Sequence, residues 1–308
     1  PLPPAELDRV HELPFTREAH PAYGPTGIRA LQTVRFSIVS HRGCCGECSF
    51  CGLAVHQGRF VTSRSAASLL REARALSERP DFKGTITDVG GPTANMYAAG
   101  CARWSRQGFC ADRSCLTPEV CRSLRLGYAE SLEVYRKMRA LPGVKHVFIG
   151  SGFRHDLLVD RSAEPYLKEV LEHHISGQMK VAPEHTVDKV LRLMNKAPFA
   201  LYERFLATLE RLNRRLPKYF ISAHPGSGAA EAAAMARWLA GRRMSPEQIQ
   251  DYLPLPMTVS SCMWHTGVHP LTGEAVDVPR SARERREQRA MIQGAADPTG
   301  GPARGRTA

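Results

Sequence analysis

Residues 43–52, GCCGECSFCG, carry four of the nine cysteines in this 308-residue chain. Three of them follow the spacing C-x3-C-x2-C, at Cys44, Cys48 and Cys51, and Cys45 falls outside that spacing. Clustered thiols can form disulfides, hold zinc or bind an iron–sulfur cluster. Three thiolates on a cubane cluster leave one iron without a protein ligand, and that iron can bind a small molecule. The stretch therefore indicates a metal centre, whose kind depends on the elements around it.

A second group of cysteines lies in the polar segment CARWSRQGFCADRSCLTPEVC. Its members are Cys101, Cys110, Cys115 and Cys121. Four thiols satisfy a closed tetrahedral zinc site, and they equally satisfy an auxiliary 4Fe–4S cluster. The segment has few large apolar residues, so a bound metal would help to hold it together. We expect metal binding here, with zinc and iron–sulfur both open.

The composition excludes several classes of protein. Hydrophobic residues make up 43% of the chain and charged residues 23%, which is ordinary for a globular protein. No apolar run approaches the roughly 20 residues that span a bilayer, and no signal peptide precedes the first structured segment. Two cysteine groups plus Cys262 do not suit a secreted disulfide scaffold. We therefore expect a cytoplasmic protein with no membrane partner.

The chain is strongly basic, with a formal net charge of +12 and a pI near 9.5. Such a charge can reflect a nucleic-acid partner. Arginine is scattered over the predicted helices and the C-terminal segment, which favours a composition bias instead. No RRM or KH signature accompanies the charge. Nucleic-acid binding is an open alternative that the sequence does not favour.

Six segments rich in apolar and β-branched residues alternate with helical patterns. The predicted strands are 33–41, 84–92, 146–152, 177–185, 218–226 and 248–256. The intervening helices are predicted at 65–78, 128–140, 164–174, 186–196, 199–215 and 229–241. Short connections indicate parallel strands with right-handed crossovers. We predict an α/β fold, a partial (β/α)6 TIM-like barrel, because no G-x-G-x-x-G follows the first strand as in a Rossmann sheet.

The cysteine loop directly after the first strand, with Phe50 before its third cysteine, resembles the radical SAM superfamily. Seven stretches narrow the resemblance to YgiQ-type radical SAM proteins, a family of unassigned reaction. They are RFSIVSHRGC, HQGRFVTSRS, FKGTITDVGGPTANMY, VFIGSGFRHDL, KVAPEH, YFISAHPGS and GEAVDVPRS. The resemblance extends from about Leu13 to Gln293. That family carries a further N-terminal domain that this sequence lacks.

The resemblance implies that Cys44, Cys48 and Cys51 ligate a 4Fe–4S cluster. It also implies that Phe50 lies against the adenine of S-adenosylmethionine, where an aromatic face offers stacking surface. Cys45 is expected to be a small loop residue and not a ligand.

By the same resemblance, Gly90 and Gly91 form the glycine turn that meets the methionine amino group, although Pro92 stands where an acidic residue is more common. Polar groups at later strand ends would hold the rest of the cofactor; the candidates are Ser151, Arg154 and Glu184. Arginine suits the carboxylate because it can bind it with two hydrogen bonds, and the glutamate suits the ribose. No catalytic residue beyond the cluster ligands is assigned.

The implied activity is reductive cleavage of S-adenosylmethionine to give a 5′-deoxyadenosyl radical. A reductant such as flavodoxin or ferredoxin is the implied partner, and the substrate cannot be read from the sequence. Two alternatives are open: a zinc-containing, cysteine-rich nucleic-acid-binding protein without catalysis, and a radical SAM enzyme that acts on RNA.

We predict three regions. Residues 1–32 form an irregular lead-in at the boundary of a missing N-terminal domain, and 33–292 form the radical SAM core, with a cysteine-rich insertion at about 98–126. Residues 293–308 form a disordered tail. Because the sequence begins with Pro1 and not with methionine, we interpret it as a fragment or a processed product.

Overall fold

The computed structural model describes residues 2–24, 27–212, 214, 218–244 and 248–294. They form two compact units, each assembled from separate stretches of the chain. The first contains Pro1–Glu47, Leu53–Lys180 and Arg204–Leu216. The second contains the described residues within Cys48–Gly52, Val181–Glu203 and Pro217–Ala308.

Short strands alternate with helices along the described chain. The strands are β1 Ser37–Val39, β2 His41–Arg42, β3 Thr62–Ser63, β4 Thr85–Ile86, β5 Asp88–Gly90, β6 His146–Val147, β7 Val181–Glu184, β8 Lys218–Ser222 and β9 Gln248–Asp251. The helices are α1 Pro4–His11, α2 Leu31–Val34, α3 Leu53–Gln57, α4 Ala66–Ser77, α5 Trp104–Gln107, α6 Tyr128–Arg139, α7 Glu164–Glu169, α8 Asp188–Leu193, α9 Phe199–Arg211, α10 Ala229–Gly241, α11 Val259–Thr266 and α12 Ala282–Gly294. A π-helical turn, Val170–His174, extends α7.

Three predicted strands meet in parallel in the first unit. β1 pairs with β5, with Ser37 opposite Asp88 and Val39 opposite Gly90. β4, the other half of the predicted second strand, pairs in parallel with β6. In the second unit β8 lies between β7 and β9, and both pairings are parallel. The α/β class and the parallel direction predicted from the short crossovers are therefore confirmed within each unit.

A small antiparallel ribbon closes the chain around the first cysteine loop. β2 follows the first parallel strand directly, and β3 returns after the loop, with His41 opposite Ser63 and Arg42 opposite Thr62. The ribbon holds both ends of the segment that contains the cysteines. It was not predicted, because two residues per strand give no period to read.

Helix α4 shows how local sequence rules act here. The hydroxyl of Ser65 accepts a hydrogen bond from the Ser68 amide at 3.1 Å, which caps the helix at the start of the predicted range. Leu69, Ala73 and Leu76 are buried on one face. This face packs near β1 and α6, so the helix lies over the parallel strands of the first unit.

Two predicted boundaries were wrong, and α11 was not predicted. The first strand starts at Ser37 and not at residue 33, because Leu31–Val34 is a helical turn. Helix α11 lies outside every predicted element, and Thr258 caps it by accepting from the Ser261 amide. The first two residues of the predicted tail, 293 and 294, end α12, and 295–308 lie outside the described residues.

Helix α12 covers the sheet of the second unit. It packs against α10, β8 and β9, and its Ile292 is buried with Phe220, Met235 and Leu239. Within the part of the chain that the structure describes, no helix has the length and apolar character that crossing a membrane requires.

Candidate active site

The first half of the cysteine loop belongs to the first unit. Gly43 has a φ of 84°, and a Cβ there would lie 1.7 Å from the carbonyl oxygen of Phe60, so only glycine fits. The amide of Cys44 donates to the carbonyl of Gly58 at 3.1 Å. This backbone hydrogen bond fixes Cys44, the first candidate ligand, at the point where the loop begins after β2.

Hydrogen-bond donors surround the Cys44 sulfur. The Gly46 amide lies 3.4 Å from Cys44 Sγ and donates to it. The Thr93 hydroxyl lies 3.6 Å from the same sulfur. Donors of this kind favour a thiolate and orient metal ligands. The surroundings of Cys44 thus fit a ligand of an iron–sulfur cluster.

Cys45 has different surroundings. It is fully buried, and its Sγ lies 4.0 Å from Met96 Sδ. A hydrogen bond with the Cys115 thiol, followed by burial, raises the pKa of Cys45, so it remains a neutral thiol. The same hydrogen bond lowers the pKa of Cys115 to about 7. A neutral packed thiol agrees with its expected role outside the ligand set.

The second half of the loop, Cys48–Gly52, belongs to the second unit. The Ser49 amide donates to the Met194 carbonyl at 2.9 Å, and the Ser49 carbonyl accepts from the Ser260 amide at 2.9 Å. A Cβ on Gly52 would lie 2.8 Å from a methyl carbon of Leu255. The end of α8 and the start of α11 therefore hold this half of the loop.

Phe50 contacts a buried histidine. Its ring lies edge-on to that of His224, with centroids 6.1 Å apart and an interplanar angle of 82°. His224 Nδ1 donates to the Pro225 carbonyl at 2.8 Å, and Nε2 accepts from the Ser260 hydroxyl at 2.7 Å. Burial lowers the pKa of His224 to about 4. The imidazole is therefore neutral at physiological pH, and it supports Phe50 without adding charge.

The glycine pair at the end of β5 packs against the protein's own side chains. A Cβ on Gly90 would lie 2.1 Å from Ser151 Oγ, and one on Gly91 would lie 2.4 Å from the His41 ring. Both positions thus have a packing reason for glycine. The predicted approach to a methionine amino group stays a prediction.

Ser151, in the loop after β6, is linked to β5 through Asp88, which was not among the predicted site residues. Its hydroxyl donates to Asp88 Oδ2 at 2.6 Å. Asp88 Oδ1 also accepts from the Gly150 amide at 2.8 Å and from the Ser151 amide at 3.1 Å. The polar TD before VGG was the available signal, since an acid inside an apolar strand is unusual. Asp88 therefore fixes the loop that carries Ser151.

Arg154 is buried and already faces a carboxylate. Its Nη2 donates to Asp156 Oδ2 at 2.6 Å, and its Nε donates to Oδ1 at 3.0 Å. Asn95 binds both the amide and the carbonyl of Arg154, at 3.0 and 2.9 Å. Two-pronged binding of a carboxylate was predicted for this side chain, and the carboxylate that the structure shows belongs to Asp156.

Glu184 ends β7 in the left-handed region, with a φ of 72°. Its Oε1 lies 3.7 Å from Nζ of Lys196, a largely buried lysine that also donates to the Ala182 carbonyl at 2.8 Å. Strained backbone at a strand end is common where a side chain serves function. The predicted ribose contact remains a prediction.

Helix α12 provides an arginine that pairs with Asp251, the acidic residue at the end of β9. Asp251 accepts from the Ser222 hydroxyl at 2.7 Å and from Arg289 Nε at 2.8 Å. The side chain of Gln288, one residue earlier, accepts from the Ala223 amide at 3.2 Å and donates to the Ser227 carbonyl at 2.8 Å. These contacts hold the loop that carries His224.

The second cysteine group shares one cavity. Its lining includes all four thiols and two arginines: Cys101, Cys110, Cys115, Cys121, Arg103 and Arg113. Among the described residues, no three His, Cys, Asp or Glu side chains are arranged to hold a metal ion. This holds for both cysteine groups, and the second group lines a single cavity.

Family models match most of the chain. Residues 38–239 match the radical SAM superfamily model. The chain belongs to the radical SAM superfamily. Residues 1–37 match a radical SAM N-terminal model, and 247–299 match a domain of unknown function, DUF3362. The family predicted from the cysteine loop is confirmed.

Curated relatives carry the name UPF0313 protein. The chain is 48% identical to one from Methanosarcina acetivorans over 298 residues, which cover 95% of this chain and 40% of that protein. It is 47% identical to one from Methanocella arvoryzae, covering 95% and 49%, and 44% identical to one from Clostridium botulinum, covering 95% and 46%. The chain thus spans less than half the length of these relatives.

Solved structures show a remote likeness. One is a radical S-adenosylmethionine methyltransferase, TsrM, from Kitasatospora setae with tryptophan substrate and a SAM analog bound, at a TM-score of 0.46 and 14% identity, covering 74% of this chain and 37% of that one. The same enzyme with cobalamin and a [4Fe-4S] cluster bound gives 0.48 and 13%, covering 83% and 46%. Likeness at this level assigns neither a substrate nor a cofactor to this chain.

Proposed function

We propose that this chain is the core of a radical SAM enzyme in which Cys44, Cys48 and Cys51 hold a 4Fe–4S cluster. The observation that carries the proposal is the C-x3-C-x2-C loop, placed directly after the first parallel strand within the segment that matches the superfamily. The Gly46 amide that donates to Cys44 Sγ supports it, because such donors orient metal ligands.

Within each unit the main strand pairs run parallel, as the proposed partial (β/α)6 barrel requires. In such folds the carboxyl ends of the strands carry the site. The residues at these ends are polar in this chain, including Ser151 and Glu184. We place the cofactor at this edge.

With S-adenosylmethionine bound, the cluster supplies a one-electron cleavage of the sulfonium that yields methionine and a 5′-deoxyadenosyl radical. The chain's own residues would bind and orient the cofactor. Phe50, whose ring contacts neutral His224, would offer an aromatic face to the adenine. Gly90 and Gly91 would present backbone to the methionine part, and Glu184 would accept from the ribose hydroxyls.

Arg154 has a narrower role in this proposal than its sequence position suggests. Because its guanidinium is paired with Asp156, it supplies a fixed hydrogen-bonded cation beside the Gly46 backbone. To contact the cofactor carboxylate, Arg154 would have to bind that carboxylate and Asp156 at the same time. We expect it to orient the loop first and to bind the carboxylate second.

The reductant would be a flavodoxin- or ferredoxin-type electron donor, in the cytoplasm. The substrate is a property of the whole protein, of which this chain spans less than half in the relatives it matches.

Anaerobic reconstitution of the chain with iron and sulfide tests the proposal. The wild type should be brown, and with dithionite and S-adenosylmethionine it should form 5′-deoxyadenosine. The Cys44→Ala/Cys48→Ala/Cys51→Ala variant should lose about four irons and all cleavage. Cys262→Ala, which removes an exposed thiol of α11, is the matched control and should change neither. A colourless protein with zinc at these thiols would instead favour the nucleic-acid-binding alternative.

A further inference from the structure

The insertion between β5 and α6 carries four cysteines that the proposed radical chemistry does not use. An antiparallel bridge closes it, since Gly100 and Arg125 exchange backbone hydrogen bonds of 3.0 and 2.8 Å. Residues 101–124 are all described, and Leu116 alone among them is buried. A loop with so little core of its own needs another cross-link to be ordered.

Backbone hydrogen bonds fold this closed loop around its thiols. The Trp104 amide donates to the Cys101 carbonyl at 3.0 Å, and the Cys121 amide donates to the Cys115 carbonyl at 2.8 Å. Cys110 completes the set, and all four side chains line one cavity. The backbone thus brings together thiols that are widely spaced in the sequence.

Positive charge lines the same cavity. Arg103 and Arg113 are both lining residues, and Arg103 Nη1 donates to Cys110 Sγ at 3.5 Å. A centre with four thiolates carries net negative charge, which cations and N–H donors stabilise. The surroundings therefore suit an anionic metal–thiolate centre.

The size of the cavity distinguishes two kinds of centre. In a zinc site all four sulfurs lie about 2.3 Å from one ion, whereas a 4Fe–4S cluster takes its four thiolates on four separate irons. The cavity volume is about 90 Å³, whereas one water-sized body needs roughly 10–15 Å³. The spacing C-x8-C-x4-C-x5-C also lacks the two close pairs of most structural zinc sites. A multi-atom cluster fits better than a single ion.

We propose that Cys101, Cys110, Cys115 and Cys121 bind a second, auxiliary 4Fe–4S cluster with no open iron. Cys115 packs against the apolar cluster that includes Cys44 and Cys45. The second centre would therefore adjoin the loop of the first, a placement that rests on the proposed function.

Metal content of the full chain after anaerobic reconstitution tests the second site. We expect about eight irons in the wild type and about four after Cys101→Ser/Cys110→Ser/Cys115→Ser/Cys121→Ser. The Cys44→Ala/Cys48→Ala/Cys51→Ala variant should also keep about four irons. If only the first cluster fails to form, this variant and the wild type should contain the same amount of iron. One zinc and about four irons in the wild type would overturn the proposal without any variant having to fold.

Magnetic resonance of the reduced protein tests the placement. Two reduced clusters in adjoining loops should show spin–spin broadening that disappears in either cysteine variant, whereas Cys262→Ser should retain it. Two signals without any interaction would overturn the adjoining position. Arg103→Ala should lower the reduction potential of the second cluster alone, because it removes a neighbouring cation; an unchanged potential would contradict the charge argument.

Discussion

The guanidinium group of Arg154 lies directly over the backbone of Gly46, the residue midway between Cys44 and Cys48. A Cβ on Gly46 would lie 2.6 Å from Arg154 Nη1. The arginine cannot easily withdraw, because Asp156 and Asn95 bind its side chain and its backbone. The loop thus has room for glycine alone at this position.

Gly46→Ala should therefore disturb the first cluster without touching a ligand. Overpacking of a fixed group typically costs about 1–3 kcal/mol, and the loop should relieve it by shifting. We expect reduced iron content and a lower melting temperature. Gly177→Ala is the matched control, since nothing lies within 4 Å of the Cβ position there. Equal iron in both variants would contradict the fixed position of Arg154.

Cys45→Ala should retain the first cluster. The thiol is fully buried against Met96 and is hydrogen-bonded to Cys115. Its removal costs packing, on the order of 1 kcal/mol, and should appear as a lower unfolding midpoint in denaturant. Cys44→Ala should instead remove the iron. If Cys45→Ala loses as much iron as Cys44→Ala, the ligand set is wrong by one residue.

Local rules predicted those parts of this fold that depend on neighbours in sequence. Ser65 caps α4 through a residue only three positions later in the chain. Each of the six predicted strands contains an observed strand, because the strand pattern also depends on neighbouring residues. The cysteine spacing likewise identified the superfamily.

The pairing of charges was not predictable. The guanidinium of Arg154, predicted to bind the cofactor carboxylate, pairs with Asp156 instead. Asp251 likewise pairs with Arg289, on a distant helix. Such pairs depend on distances across the fold, and on rotamers that no sequence period encodes. Asp88 was missed in the same way, since its three partners come from another strand end.

Gln288→Leu should destabilise the second unit. It would leave the Ala223 amide and the Ser227 carbonyl without their partner, and a buried unpaired polar group costs about 1–3 kcal/mol. We expect a loss of that order per group in the free energy of unfolding. Gln293→Leu, an exposed position on the same helix, is the control and should change little. Equal effects would mean that the loop does not depend on α12.

Phe50→Ala should weaken binding of S-adenosylmethionine and leave the iron in place. Loss of one base-stacking aromatic costs roughly 1–3 kcal/mol, which equilibrium dialysis on the reconstituted protein can measure. Phe15→Ala, at an exposed position, serves as the control. Unchanged affinity would remove Phe50 from the proposed adenine site.

Buried imidazoles should make the fold sensitive to mild acid. Burial lowers the pKa of His224 to about 4 and that of His185 to about 3, from an ordinary value of 6.5. Between pH 6.5 and about 4 the unfolded chain therefore binds protons that the folded chain refuses. The stabilisation is complete above pH 6.5 and is lost as the pH falls through that window.

His224→Gln should flatten this loss, because a neutral amide replaces a titrating ring. A shift of this size is worth on the order of 3 kcal/mol, so the gap between the unfolding free energies at pH 7 and pH 4.5 should narrow by up to about that amount. His185 and His41, also buried with a lowered pKa, will keep part of the slope. His265→Gln, at an exposed position in the same unit, should leave the slope unchanged. If the two variants show the same pH dependence, the pKa of His224 is the same in the folded and unfolded chains, and burial does not keep its ring neutral below pH 6.5.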